Sequence, residues 1–90
     1  HITIARKQRD SDNWFVGSVT DEEARNIEIS FDFLDENANY KARIYRDAAD
    51  ADFEKNPSVY TIEEMEVNST TVYKANLARG GGVAISILKQ

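Results

Sequence analysis

Apolar residues fall on every second position through most of this chain, a period that predicts β-strands and not helices. Seven segments follow it. The first runs from Ile2 to about Gln8, with Ile2 and Ile4 on one face. A polar hairpin loop, Arg9 to Asn13, leads to the second, Trp14 to Thr20. That segment is apolar at both parities, the pattern of a central strand or of one covered on both faces. The third, Asn26 to Asp32, sends Ile27, Ile29 and Phe31 inward, and Phe33 and Leu34 then plug the end of the core. The fourth, Tyr40 to about Arg46, turns Tyr40, Ala42 and Ile44 inward and Lys41, Arg43 and Tyr45 away. In the fifth, Val59 to Val67, Tyr60 and Ile62 share one parity while Met65 and Val67 take the other. A β-bulge near Glu63 and Glu64 is expected to reconcile the two halves.

The last two segments carry Tyr73, Ala75 and Leu77, then Val83, Ile85 and Ile87. They flank Gly80-Gly81-Gly82 and are expected to form an antiparallel pair, the glycines supplying positive φ in the turn. A glycine run also suits an anion cradle, but a phosphate loop needs a helix after its glycines, and here a strand follows. Thr20-Asp21-Glu22-Glu23 has the form of a capping box, with room for one helical turn before the third strand. Regular short strands with frequent turn signals predict an all-β fold with no helix longer than a turn. The expected architecture is an antiparallel, Greek-key-like β-sandwich of about seven strands, with a closed barrel as the alternative.

Composition narrows what such a fold does. Ninety residues make a single domain, 1–90, with one core. Cysteine is absent and the one histidine is His1, at the terminus. Thiolate metal sites and most histidine-dependent catalysis are thereby excluded, and the serines and threonines lack their usual base. The net charge of −5, from 16 acids against 11 bases, disfavours nucleic acid and anionic membrane surfaces. The basic group Arg6-Lys7-Gln8-Arg9 is followed at once by Asp10 and Asp12. No apolar run approaches the roughly 20 residues that span a bilayer. The chain opens inside an alternating pattern and without methionine, and is expected to be a piece of a longer protein.

Asp47, Asp50, Asp52 and Glu54 form the densest acidic group and are the candidate metal ligands, with Ca²⁺ as the ion that such oxygens would take. The EF-hand glycine and twelfth-position glutamate are missing, so loop solvation is the plainer use of these carboxylates. A glycosidase acid/base pair would need a cleft that so small a domain does not supply. Trp14 and Tyr45 are the candidate sugar-stacking platforms, since Tyr40, Tyr60 and Tyr73 lie at inward parity. Trp14, Val16, Tyr45 and Leu88 are expected at the packing surface, where parity turns them from the core. Asn68-Ser69-Thr70 matches a glycosylation sequon and marks an exposed turn.

Several segments in order carry a family resemblance. Ile2 to Arg6 leads into Trp14-Phe15-Val16-Gly17-Ser18-Val19-Thr20, followed by an acidic turn and Arg25. Ile29 to Leu34, Tyr40 to Asp47, Ala51-Asp52 and the closing Leu77 to Ile85 complete the set. Together they resemble the C-terminal domain of glycoside hydrolase family 97, bacterial α-glucosidases and α-galactosidases. Arg79 and Ala48 depart from it, at places where a proline and a turn glycine are common. The resemblance implies a non-catalytic domain that packs on the (β/α)₈ barrel of the same chain and takes part in oligomerisation. It also implies that catalytic residues and calcium ligands lie upstream, leaving this domain no cofactor, and that the parent enzyme is periplasmic or secreted. The rival function is a stand-alone carbohydrate-binding module for α-glucan or galactoside.

Overall fold

The computed structural model describes residues 2–20, 23, 25–47, 60–77 and 79–90. Seven strands follow one another: β1 Ile2–Lys7, β2 Trp14–Val19, β3 Arg25–Ser30, β4 Tyr40–Asp47, β5 Tyr60–Val67, β6 Val72–Leu77 and β7 Gly82–Lys89. All pairings are antiparallel. One sheet has five strands in the order β1-β2-β7-β4-β5, and a second has two, β3-β6. This is the expected sandwich, and no helix occurs among the described residues.

Period-2 burial explains the layers. In β7, Val83, Ile85 and Ile87 are buried, and they meet Val16 of β2 and Tyr40, Ala42 and Ile44 of β4 on one side of the large sheet. Ile27 and Ile29 from β3 and Phe31 just beyond its end, with Tyr73, Ala75 and Leu77 from β6, supply the opposing layer. Leu34 is buried and Phe33 packs against the cluster, so these two residues, in the turn that follows β3, do close one end of the core. The Tyr40 hydroxyl accepts the Asp35 N–H at 3.2 Å, which gives that tyrosine a polar partner at the core's end.

Two expectations are corrected. The glycine turn does not join a hairpin. β6 pairs with β3, while β7 lies between β2 and β4, so the turn carries the chain from one sheet to the other. Only Gly80 has positive φ, at 67°. The Gly81 carbonyl accepts both the Thr20 N–H, at 2.9 Å, and the Thr20 hydroxyl, at 3.1 Å. A Cβ on Gly82 would lie 3.1 Å from the Ser18 carbonyl oxygen, so the bare backbone lets β7 start tight against β2. Alternation shows that each flanking strand has one buried face; it does not say whether the two faces belong to one sheet or to facing sheets.

Nor is there a bulge in β5. Its eight residues pair one-to-one with β4, from Asp47↔Tyr60 to Tyr40↔Val67. Continuous register leaves Ile62 on the outer face beside Tyr45, with Val67 buried on the inner one. The change of apolar parity within β5 reflects an exposed isoleucine, and no extra residue is inserted.

The turns hold by backbone and side-chain hydrogen bonds. In the β1–β2 hairpin the Gln8 N–H reaches the Asn13 carbonyl at 2.8 Å, and Asp10 takes φ 56°, a conformation aspartate tolerates. Between β5 and β6 the Asn68 carboxamide oxygen accepts the Thr70 N–H at 2.9 Å and the Thr70 hydroxyl at 2.6 Å. The sequon residues are thus engaged in closing their own turn. Thr20 is buried against Gly81, and the residues of the anticipated capping turn, 21, 22 and 24, lie outside the described set.

Candidate functional site

The outer face of the large sheet stands out because it is as apolar at one end as a core. Strand register builds it in rows. Ile2 of β1 stands beside Val19 of β2. The next row runs Ile4, Gly17, Ala84, Tyr45 and Ile62 across all five strands. In the third, Arg6, Phe15, Ser86, Arg43 and Glu64 follow one another. Exposure is 62% at Ile2, 56% at Ile4, 50% at Phe15, 55% at Val19 and 47% at Ile62. The Phe15 ring lies over Gly17, within 3.4 Å of where a Cβ there would sit. A shallow trough of about 690 Å³ opens here, bounded by Ile4, Phe15, Val19, Tyr45 and the glycines of the inter-sheet turn.

The far end of the same face is charged. Arg43 sits 3.7 Å from Glu64 and lies 5.5 Å over the Tyr45 ring, while Lys41 stands opposite Glu66. One sheet face is therefore apolar at one end and polar at the other. Such exposed apolar continuity on a small domain is the mark of a surface that another protein element covers.

Of the four anticipated surface residues, only Tyr45 and Leu88 lie on this face. Val16 is fully buried, paired with Ile85 and set in the core, so its expected exposure is overturned. Trp14 lies at the same inward parity, with its ring 4.6 Å from that of Phe33. Tyr45 is exposed within the apolar zone, and Leu88 is exposed in the charged row beside Lys41. Phe15 and Val19 are the residues that sequence parity missed. β2 carries bulk at both parities, and only its register with β7 tells which side meets the second sheet. The signal present in the sequence was the pairing of β2's odd positions with Ile2 and Ile4, whose alternation was legible. As for the sugar platforms, Trp14 has its ring against Phe33, and Arg43 lies over one face of the Tyr45 ring.

At the opposite edge, on the inner side, one polar cluster closes the sandwich. Glu63 Oε1 accepts from Arg46 Nε at 3.1 Å and from the Tyr73 hydroxyl at 3.0 Å. Hydrogen bonding to Arg46 holds the Glu63 carboxyl below its ordinary range, and burial beside that carboxylate pushes the Tyr73 phenol up to about 12. Glu63 thus contributes stability above its unfolded value near 4.5, lost as pH falls through the lower folded value. Tyr73 keeps its proton when folded, so its contribution is complete below pH 10 and disappears as pH rises toward about 12. Glu63→Gln is expected to cost about 1 kcal/mol or less, because the pair is partly solvated. It should also flatten the acid limb of a urea-denaturation series run between pH 3 and 6, and an unchanged limb would assign that limb to other carboxylates.

No group of three or more metal-ligating side chains gathers among the described residues. Asp50, Asp52 and Glu54 lie outside the described set, and of Asp47 only its strand position is described.

The sequence and the fold match those of known proteins. The family described as "Glycosyl-hydrolase 97 C-terminal, oligomerisation" matches residues 1–88. A retaining α-galactosidase of Bacteroides thetaiotaomicron is 33% identical over 84 residues, which is 93% of this chain and 12% of that protein. A glycoside hydrolase family 97 enzyme of Pseudoalteromonas sp. strain K8, solved among other forms with acarbose, superposes with TM-score 0.93. It is 40% identical, over 98% of this chain and 14% of its own. An α-L-arabinofuranosidase shares the fold alone, at TM-score 0.52 and 8% identity. This chain thus spans about an eighth of the glycosidases it resembles. Its resemblance to them is confined to one non-catalytic module, and the chain belongs to the C-terminal, oligomerisation domain family of glycoside hydrolase 97.

Proposed function

We propose that this domain is the C-terminal module of a longer glycoside hydrolase, exported to the periplasm, and packs its large sheet's outer face on the catalytic (β/α)₈ barrel of the same chain. The observation that carries this reading is the run of exposed apolar side chains from Ile2 and Ile4 through Phe15 and Val19 to Tyr45 and Ile62. An isolated domain leaves that area in water. Helices on a barrel's flank offer apolar ridges that fit a twisted sheet face, and removing each half-exposed large side chain from water contributes on the order of 1 kcal/mol. The polar end, with Arg43, Glu64, Lys41 and Glu66, suits the rim of such a contact. The chemistry of hydrolysis belongs to the barrel.

Supplied in trans to a parent enzyme lacking the domain, this chain is expected to bind it. Phe15→Asp should weaken that binding by about 100-fold or more, as a buried unpaired carboxylate in an apolar contact implies. Equal affinity of both forms, measured by calorimetry, would place the docking surface elsewhere.

A further inference from the structure

We propose that the free edge of β1 is the oligomerisation element, pairing antiparallel with β1 of a second copy in a register centred on Ile4. The proposal rests on the family's oligomerising role and deepens it, since that role comes with no surface attached. β1 pairs with β2 along its whole length, one-to-one and without a bulge, and among the described residues its other edge has no strand partner. All six of its residues are exposed. The two-stranded layer that buries the middle of the large sheet therefore leaves β1 with water on both faces. It contains no proline, and Thr3, Ile4 and Ala5 at its centre are uncharged. A regular edge with an uncharged centre templates another strand unless something covers it.

The sequence of β1 selects both the partner and the direction. A two-fold axis perpendicular to the sheet keeps outer faces together, so facing residues must share parity. Centred on Ile4, the register sets Ile4 against Ile4, Thr3 against Ala5, and Ile2 against the second copy's Arg6. Like charges are kept apart, whereas parallel pairing would stack Arg6 on Arg6 and Lys7 on Lys7. Lys7 is already directed to Asp12, at 3.8 Å. The outer apolar faces then become continuous across two five-stranded sheets. The other edge is a poorer choice. β5 carries Glu63, Glu64 and Glu66, which repel in a two-fold pair, and Arg46 and Arg43 of β4 already accompany the first two, at 3.1 and 3.7 Å. That prior pairing also weakens any head-to-tail attraction of β5 for Arg6.

The absence of cysteine makes the test direct. Residues facing each other across an antiparallel pair have Cα atoms about 4.5–5.5 Å apart, within the range a disulfide spans. Ile4→Cys is therefore expected to cross-link into a dimer under mild oxidation about tenfold or more faster than Phe15→Cys or Ile62→Cys, because only the first thiol is held beside its copy. Sedimentation of the unmodified chain should give a dimer, and β1 amides should gain hydrogen-exchange protection as concentration rises. Ile4→Lys should give a folded monomer, whereas Phe15→Asp should stay dimeric even though it loses docking to the parent enzyme. A chain that remains monomeric, a dimer without β1 protection, or faster cross-linking through Phe15→Cys or Ile62→Cys would each overturn the proposal. Loss of barrel docking with the dimer intact would bear only on the docking face.

Discussion

Phe31→Ala is expected to lower the stability of this domain by about 3–5 kcal/mol, the range for emptying a fully buried aromatic site. A single domain of this size has on the order of 5–10 kcal/mol in total, so the substitution removes about half of it. Phe31 is fully buried and sits where β3 ends. Its N–H donates to the Thr71 carbonyl at 3.0 Å, tying it to the start of β6, and its ring stands edge-on to Phe33 at 6.0 Å. Truncation therefore opens a cavity between the sheets at a point where backbone bonds prevent collapse. Urea denaturation followed by tryptophan fluorescence is the measurement, since Trp14 packs against Phe33 next to the cavity. A loss under about 1 kcal/mol would mean that the site refills or is open to water.

The second large effect separates two adjacent residues. Val16→Asp is expected to leave no folded protein at neutral pH, while Phe15→Asp folds with stability within about 1 kcal/mol of the parent sequence. Val16 has no exposure and faces the small sheet across the core; Phe15, one residue away, projects outward and is half exposed. A carboxylate at the first site has no cation within the apolar cluster to pair with, and it must either stay protonated or bring water in. At the second it faces solvent, with Arg6 beside it in the row. Circular dichroism of both variants decides the matter. A folded Val16→Asp or an unfolded Phe15→Asp would reverse the assignment of the faces of β2.

Much of the fold was legible in the sequence for a local reason. A strand buried on one face writes that fact into every second residue. β3 and the residue that follows it, with Ile27, Ile29 and Phe31, and β4, with Tyr40, Ala42 and Ile44, were readable without any knowledge of their neighbours. Where the pattern is ambiguous, the neighbours decide. β2 has bulk on both sides, and β5 shows Ile62 outward and Val67 inward within one unbroken register. Those two strands hold the corrected residues, Val16 and the absent bulge. They are also strands of the exposed apolar face, because a surface that is apolar on its outer side mimics a core in one dimension.

The sequence by itself determined the class of the fold, the number of strands and most of the core, and it holds no cysteine and a single histidine. Alternation, turn residues and composition are local properties, and each needs only a few neighbouring residues to act. The tertiary structure alone decided that the glycine turn passes between sheets, that Phe15 and Val19 share a surface with Ile4, Tyr45 and Ile62, and that β1 stands at the end of the five-stranded sheet. These are facts of pairing between strands distant in sequence. They depend on which arrangement buries all the apolar faces together, and no single segment contains that information.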